Sequence, residues 1–270
     1  MDKARHTREL FDLQGKVALV TGGSRGLGLQ IAEGLGDMGC RVAISARKAD
    51  ELAQAEKHLA GRGIEVLTVA NDLGKLDGIP GLVDAVLARF GAIDVLVNNA
   101  GATWGAPAEE YPDEAWRKVM TLNIDAMFFL SREVGRRSMI ARRSGKIVNV
   151  ASIAGLYGGP PDMHTIAYNT SKGAAVNFTR ALASEWGGYN INVNAVCPGF
   201  FPTKMARGVL EKIGERVKGA TPLQRLGGDE DLKGAARSCD AHAAVHHDAL
   251  PRDVARGLRR EEHRRGPASG

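Results

Sequence analysis

The 270-residue chain is 44% hydrophobic, 25% charged and 5% aromatic, the make-up of an ordinary soluble globular protein with length enough for a sizeable core. Its three widely spaced cysteines, Cys40, Cys197 and Cys239, form no CxxC pair and no metal-ligand spacing, which predicts a reducing cytoplasm, no disulfide framework and no metal site. The charged start MDKARHTRELFD is not a secretory h-region, and the lack of any run of about 18 uncharged apolar residues excludes a membrane-spanning helix.

Short β-branched apolar runs alternate with longer helical patterns. Residues 17–20 predict a strand and 26–38 a helix with Leu27, Ile31 and Leu35 on one face. Strands follow at 41–46, 64–70, 93–98, 146–151 and 191–196. Between them lie helical patterns at 50–60, 79–90, 113–140 and 165–186. Strands that are apolar throughout and separated by helices call for a parallel sheet covered on both faces. Right-handed crossovers then make it a doubly wound α/β sheet, Rossmann-like and in a single domain. The domain is read over 14–232, behind an N-terminal arm of residues 1–13. From Lys233 to Gly270 the composition changes: no Phe, Tyr, Trp, Ile or Met occurs, while four of the seven His and seven Arg do. This stretch reads as a poorly ordered basic tail without strand pattern.

The overall charge of +5 invites an anionic partner. Residues 233–270 hold 8 Lys and Arg against 5 Asp and Glu, so most of the excess lies in the tail. No groove-reading or aromatic-platform motif accompanies it, and no nucleic-acid partner is expected. The anion the fold itself predicts is a phosphate. Residues 21–28, TGGSRGLG, join the first strand to the first helix. In that position Gly22, Gly26 and Gly28 let the backbone turn sharply and approach a pyrophosphate at the helix N-terminus, with Ser24, Arg25 and Leu27 in the same cradle. An NAD site usually puts Asp or Glu at the end of the second strand. Here Ala46 is followed by Arg47 and Lys48. These read either as solvated loop charges or, with Arg25, as a clamp for a 2′-phosphate; the missing acid favours the clamp, and NADP(H) over NAD(H).

Tyr168 and Lys172 stand four residues apart, on one face of a helix. A Tyr near its ordinary pKa of about 10 is a poor base, and a neighbouring ammonium favours the phenolate. Ser152, just past the fifth strand, is placed to bond the same substrate oxygen at the sheet edge where such folds bind ligands.

TGGSRGLG, the NNAG at 98–101, Asn123, Ser152, YNTSK at 168–172 and Pro198-Gly199 occur in that order. With them the chain resembles the short-chain dehydrogenase/reductases over about residues 10–232. The resemblance implies a catalytic tetrad of Asn123, Ser152, Tyr168 and Lys172. Tyr168 would be the acid/base and Ser152 would orient the carbonyl. Lys172 would hold the nicotinamide ribose and lower the Tyr168 pKa, and Asn123 would anchor a water leading to Lys172. It further implies Asp72 and Leu73 beside the adenine, Asn99, Ala100 and Gly101 along the cofactor, and Pro198, Gly199 and Thr203 near the nicotinamide.

The substrate implied is a small carbonyl or alcohol compound, and the assembly a homo-oligomer, commonly a tetramer. NNAGATWGAPAEEYPDEAW is similar to 3-oxoacyl reductases, whereas LFDLQGKVALVTGGSRGLG is similar to gluconate 5-dehydrogenases. Both reactions interconvert a ketone and a secondary alcohol. Trp104, Tyr157, Met163, Phe200 and Phe201 are candidate pocket linings whose apolar character leans toward an acyl chain. Residues 158–164 are expected to bulge at the pocket mouth, with His164 an exposed loop residue. The Arg and Lys of 204–218 occupy the family's lid region, either meeting a phosphopantetheine or carrier-protein surface or lying on a solvated helix. After GDEDLKGAA the resemblance stops: the family's apolar helix, Val-Thr-Gly turn and last strand are missing, so the sheet is expected to lack its usual seventh strand. The abrupt change reads as a shift of reading frame, with a genuine, adapted C-terminus as the alternative; translation of the coding DNA in the other two frames tests it. An altered C-terminus also admits a cofactor-binding protein without activity.

Overall fold

The computed structural model describes residues 12–234 and the backbone of Val245–His246. Most of the arm 1–13 and of the tail 233–270 therefore lies outside the described residues, as does the reading of the tail as poorly ordered. The parallel strands β1 (Val17–Thr21), β2 (Arg41–Ala46), β3 (Val66–Ala70), β4 (Val95–Asn98), β5 (Gly145–Val150) and β6 (Ile191–Val196) form one sheet in the order β3-β2-β1-β4-β5-β6. Helices α1 (Gly26–Asp37), α2 (Ala49–Ala60), α3 (Ile79–Phe90), α4 (Asp113–Met120), α5 (Ala126–Val134) and α6 (Ile166–Trp186) connect them, and α7 (Arg207–Ala220) follows β6. Every residue of β1 and β4 is buried, as the uninterrupted apolar runs predict for a sheet covered on both sides. Alternating strand residues feed two core layers. Ala18, Val20, Val42 and Ile44 meet α1 and α2 through Ile31, Leu35, Leu52 and Leu59. Val17, Leu19 and Leu96 meet α3 and α5 through Leu82, Val86, Leu130 and Val134.

Strand order reverses between β1 and β4, which leaves a crevice at their C-terminal ends. Thr21 closes its floor. Its Oγ1 donates to the Val97 carbonyl at 3.2 Å and accepts from the Asn99 and Ala100 amides at 3.0 and 3.1 Å. Beneath the crevice runs a buried polar chain. Asn98 Nδ2 donates to Ser131 Oγ and to Asn149 Oδ1, and Asn149 Nδ2 donates to Thr179 Oγ1, at 2.9–3.1 Å.

Two features depart from the sequence reading. The helix expected over 113–140 is interrupted by π-turns at Thr121–Asp125 and Gly135–Met139, which apolar periodicity does not reveal. A two-residue strand, β7 (Val245–His246), pairs in parallel with Ala195–Val196. The tail thus contributes a short strand where none is expected, and the edge of β6 is paired over two residues. Among the described residues no helix is long and apolar enough to cross a membrane, and no cluster of three His, Cys, Asp or Glu is placed to hold a metal.

Candidate active site

The glycine turn is built by three different constraints. Gly22 and Gly26 hold φ of +62° and +55°, a left-handed conformation costly for residues with a Cβ. Gly28 has an ordinary φ but no room: a Cβ there would lie 2.3 Å from the Gly22 carbonyl oxygen and 2.5 Å from Asn99 Nδ2. The turn is locked from across the crevice by Asn99, whose Nδ2 donates to the Thr21 and Gly22 carbonyls at 2.8 and 3.2 Å. Asn99 therefore shapes the cradle with its side chain. Ser24 is buried, Leu27 packs against the core, and the Thr203 methyl lies 3.4 Å from where a Cβ of Gly26 would sit. The 198–203 segment and the glycine turn thus face each other.

At the outer end Arg25 is half exposed and bonds Glu51, while Arg47 is exposed. Asp72 accepts the Gly74 amide at 3.0 Å, a local turn, and Leu73 is buried in the core layer with Ile79 and Leu82. Through its side chain Leu73 is a packing residue. Pro198 is buried, and its carbonyl accepts the Ile153 amide at 3.1 Å, which ties the loop after β6 to the loop after β5. Gly199, half-buried, continues that loop.

Ser152 starts the short helical turn Ile153–Gly155, its Oγ accepting the Ala154 amide at 3.1 Å. Gly155 fixes how near this turn comes to α6: a Cβ there would lie 2.4 Å from the Lys172 carbonyl carbon. Close approach brings Ser152 to Tyr168. Burial pushes the Tyr168 phenol above its ordinary pKa, while the hydrogen bond with Ser152 pulls it down. Lys172 is 5% exposed, and burial brings its amine down to about 8, against a smaller raising influence from Cys197. Its Nζ donates to the Val150 carbonyl at 2.7 Å and stands 5.6 Å from the Tyr168 ring centre. The lowering of Tyr168 expected from Lys172 does not figure in this balance, which burial dominates and Ser152 opposes.

Asn123 sits in the first π-turn and is 1% exposed. Its Oδ1 accepts the Ala102 amide at 2.8 Å, and its Nδ2 donates to the Ala102 carbonyl at 3.0 Å and Ser171 Oγ at 2.9 Å. Gly101 leaves the gap between this amide and Lys172, since a Cβ would meet Asn123 Oδ1 at 3.2 Å and Lys172 Nζ at 3.8 Å. The four tetrad positions therefore converge at the C-terminal edge of the sheet, joined by Gly101 and Ser171.

The mouth is partly as expected. Trp104 is 50% exposed, Tyr157 is exposed, and Met163 and Phe200 are half-buried. Phe201 is instead a core residue, buried with Leu232 and Val196. Residues 158–164 form an exposed loop whose His164 carbonyl accepts the Ala106 amide at 2.9 Å. Helix α7 buries no residue and is tied to this loop by Arg216, which bonds Asp162 at 2.8 and 2.9 Å. Thr21, Asn149, Gly155 and Ser171 are functional supports that the sequence reading missed. Only Thr21, at the junction of strand and glycine turn, carries a positional signal.

A doubly wound sheet with a glycine cradle at its switch point and a Ser-Tyr-Lys-Asn cluster at the same edge defines a nucleotide-dependent oxidoreductase site. The sequence matches the short chain dehydrogenase family over residues 16–214, and the chain belongs to that family. It is 36% identical to a gluconate 5-dehydrogenase of Gluconobacter oxydans, over 84% of this chain and 88% of that protein. Identity is also 36% to a rhamnolipids biosynthesis 3-oxoacyl-[acyl-carrier-protein] reductase of Pseudomonas aeruginosa, over 87% of this chain and 93% of that one. Among solved structures, a gluconate 5-dehydrogenase from Burkholderia cenocepacia in complex with NADP and tartrate superposes with a TM-score of 0.82 at 30% identity, covering 90% of this chain and 98% of that one. An NAD+-bound xylitol dehydrogenase superposes with a TM-score of 0.80 at 31% identity, covering 86% and 98%.

Proposed function

We propose that this oxidoreductase uses NADP(H) and reduces a ketone to a secondary alcohol, with a 3-oxoacyl thioester as substrate. The observation that carries the reading is the convergence of Ser152, Tyr168 and the buried Lys172 at the C-terminal edge of the sheet, with Lys172 Nζ 5.6 Å from the Tyr168 ring centre. A phenol is protonated at neutral pH, the form that donates to a carbonyl oxygen.

The glycine cradle fits a dinucleotide, because Gly28 has space for nothing beyond hydrogen and the turn opens directly into α1. Gly22, Ser24, Gly26 and Leu27 would border the pyrophosphate, Asp72 and Leu73 the adenine, and Asn99 to Gly101 with Pro198, Gly199 and Thr203 the nicotinamide half. Arg25 and Arg47, with Ala46 in place of an acid, support a 2′-phosphate. The bound nicotinamide supplies the hydride. Ser152 holds the substrate carbonyl oxygen, and Tyr168 gives that oxygen its phenolic proton. Lys172 holds the ribose and, with an amine near 8, replenishes the proton. Asn123 clamps Ala102 and so keeps Gly101 clear of Lys172.

Trp104, Tyr157, Met163 and Phe200 around the mouth support an acyl chain. The gluconate 5-dehydrogenase relatives support a second reading, a sugar-acid oxidoreductase. Exposed Trp116 on α4 and Phe128 on α5 support a homo-oligomer. NADPH oxidation with a short 3-oxoacyl thioester, set against NADP+ reduction with gluconate, tests the assignment. Turnover with gluconate alone selects the second reading; tight NADPH binding without turnover on either selects a binding protein.

A further inference from the structure

The outer rim of the glycine cradle contains a carboxylate that the proposed chemistry does not use. Glu51, in the first turn of α2, places Oε1 2.5 Å from Arg25 Nη1 and 3.5 Å from Lys48 Nζ. Arg25 precedes α1 and Lys48 precedes α2, so one carboxylate joins the starts of the two helices that border the cradle. The Glu51 side chain is the inner member at 19% exposure, against 49% for Arg25. Arg47, four residues earlier in the bend before α2, is exposed.

We propose that Glu51 is a specificity-determining residue that sets the cofactor preference by competing with the 2′-phosphate for Arg25. The proposal rests on the dinucleotide reading given above. A 2′-phosphate approaching Arg25 meets a guanidinium already neutralised at hydrogen-bond distance, and must share or displace the carboxylate. A ribose bearing only hydroxyl groups brings no charge to that contest and leaves the ion pair in place. The rim thus carries the cations of a phosphate clamp together with an internal anion that weakens it. Both partners reach solvent, so the competition is modest and screened by salt.

Dissociation constants of NADPH and NADH, measured by fluorescence titration of the full-length protein and its variants, test this. Glu51→Gln should lower the ratio of the NADPH constant to the NADH constant by about three- to tenfold at low salt, as expected for an exposed charge contact freed of its competitor. Glu51→Ser, which cannot keep the contact either, should shift the ratio in the same direction if Gln disturbs the fold. In an Arg25→Gln background the same Glu51 change should shift it less than about twofold, the mark of direct coupling in a double-mutant cycle. An unchanged ratio in Glu51→Gln, or an equal shift with and without Arg25, overturns the proposal. If the wild type binds NADH more tightly, the NADP(H) assignment fails, and the direction of the Glu51 shift still decides this one.

Discussion

Lys172→Met should make the protein more stable and inactive at once. The amine is buried, and its pKa falls from 10.5 to about 8 on folding. At about 1.36 kcal/mol per pKa unit, keeping this group charged in the folded protein at pH 7 costs about 3 kcal/mol. Methionine removes the charge at similar volume but leaves the Val150 carbonyl without its donor, which costs about 1–2 kcal/mol. The net gain is therefore about 1–2 kcal/mol at pH 7, or a melting temperature higher by about 2–8 °C for a domain of this size.

The pH dependence is the sharper signature. Between about pH 8 and 10.5 the unfolded lysine still binds a proton that the folded one has released, so wild-type stability rises through this window. Methionine has no such group, and the advantage of the variant should vanish across the same interval. Urea unfolding of both proteins at pH 7, 8, 9 and 10 reads the difference, in which other titrating groups cancel. A stability difference that stays flat from pH 7 to 10 would refute the claim that a charged, desolvated amine sits at this position.

Tyr168→Phe should abolish turnover while NADPH affinity, followed by fluorescence, changes little; retained activity would remove Tyr168 from the chemistry. Gly28→Ala should destabilise by about 1–3 kcal/mol in urea titrations and weaken dinucleotide binding, because the methyl is driven into the Gly22 carbonyl. Gly81→Ala, in α3 with nothing within 4 Å of the added carbon, should instead stabilise by about 0.5–1 kcal/mol. Asn123→Ala removes three buried hydrogen bonds and should cost about 2–4 kcal/mol, with kcat falling more than the change in NADPH affinity accounts for.

The doubly wound parallel sheet was legible because strands such as Val17–Thr21 are apolar without interruption and are spaced by helices, the pattern of a covered parallel sheet. The tetrad candidates rest on motif order, not on local chemistry: Asn123 alone is a polar residue in a helix. What stayed hidden depends on contacts between distant parts of the chain. Glu51 meets Arg25 across 26 residues, and Asn98 meets Asn149 across 51. Neither pairing leaves a periodic mark. Gly155 is an unremarkable loop glycine until α6 packs on it, and Phe201 looks like a pocket wall until Gly227 and Leu232 close over its ring. The direction of the Tyr168 shift was also hidden, since burial competes there with the Ser152 hydrogen bond and only the packed structure ranks them.

The π-turn at Thr121–Asp125 works as a phase shifter. One surplus residue in the turn offsets the rotation of α5 relative to α4 by about 100° from that of an unbroken α-helix. Two requirements are thereby separated. Ala115 and Val119 can face the core from α4 while Leu130 and Val134 face it from α5, and the amide of Asn123 still points at Ala102 between them. Deleting a single residue in this turn would restore a regular helix and keep every catalytic side chain in the sequence, yet swing either the amide or the α5 core face out of place. The spacing of this helix is thus under the same constraint as the identity of its asparagine.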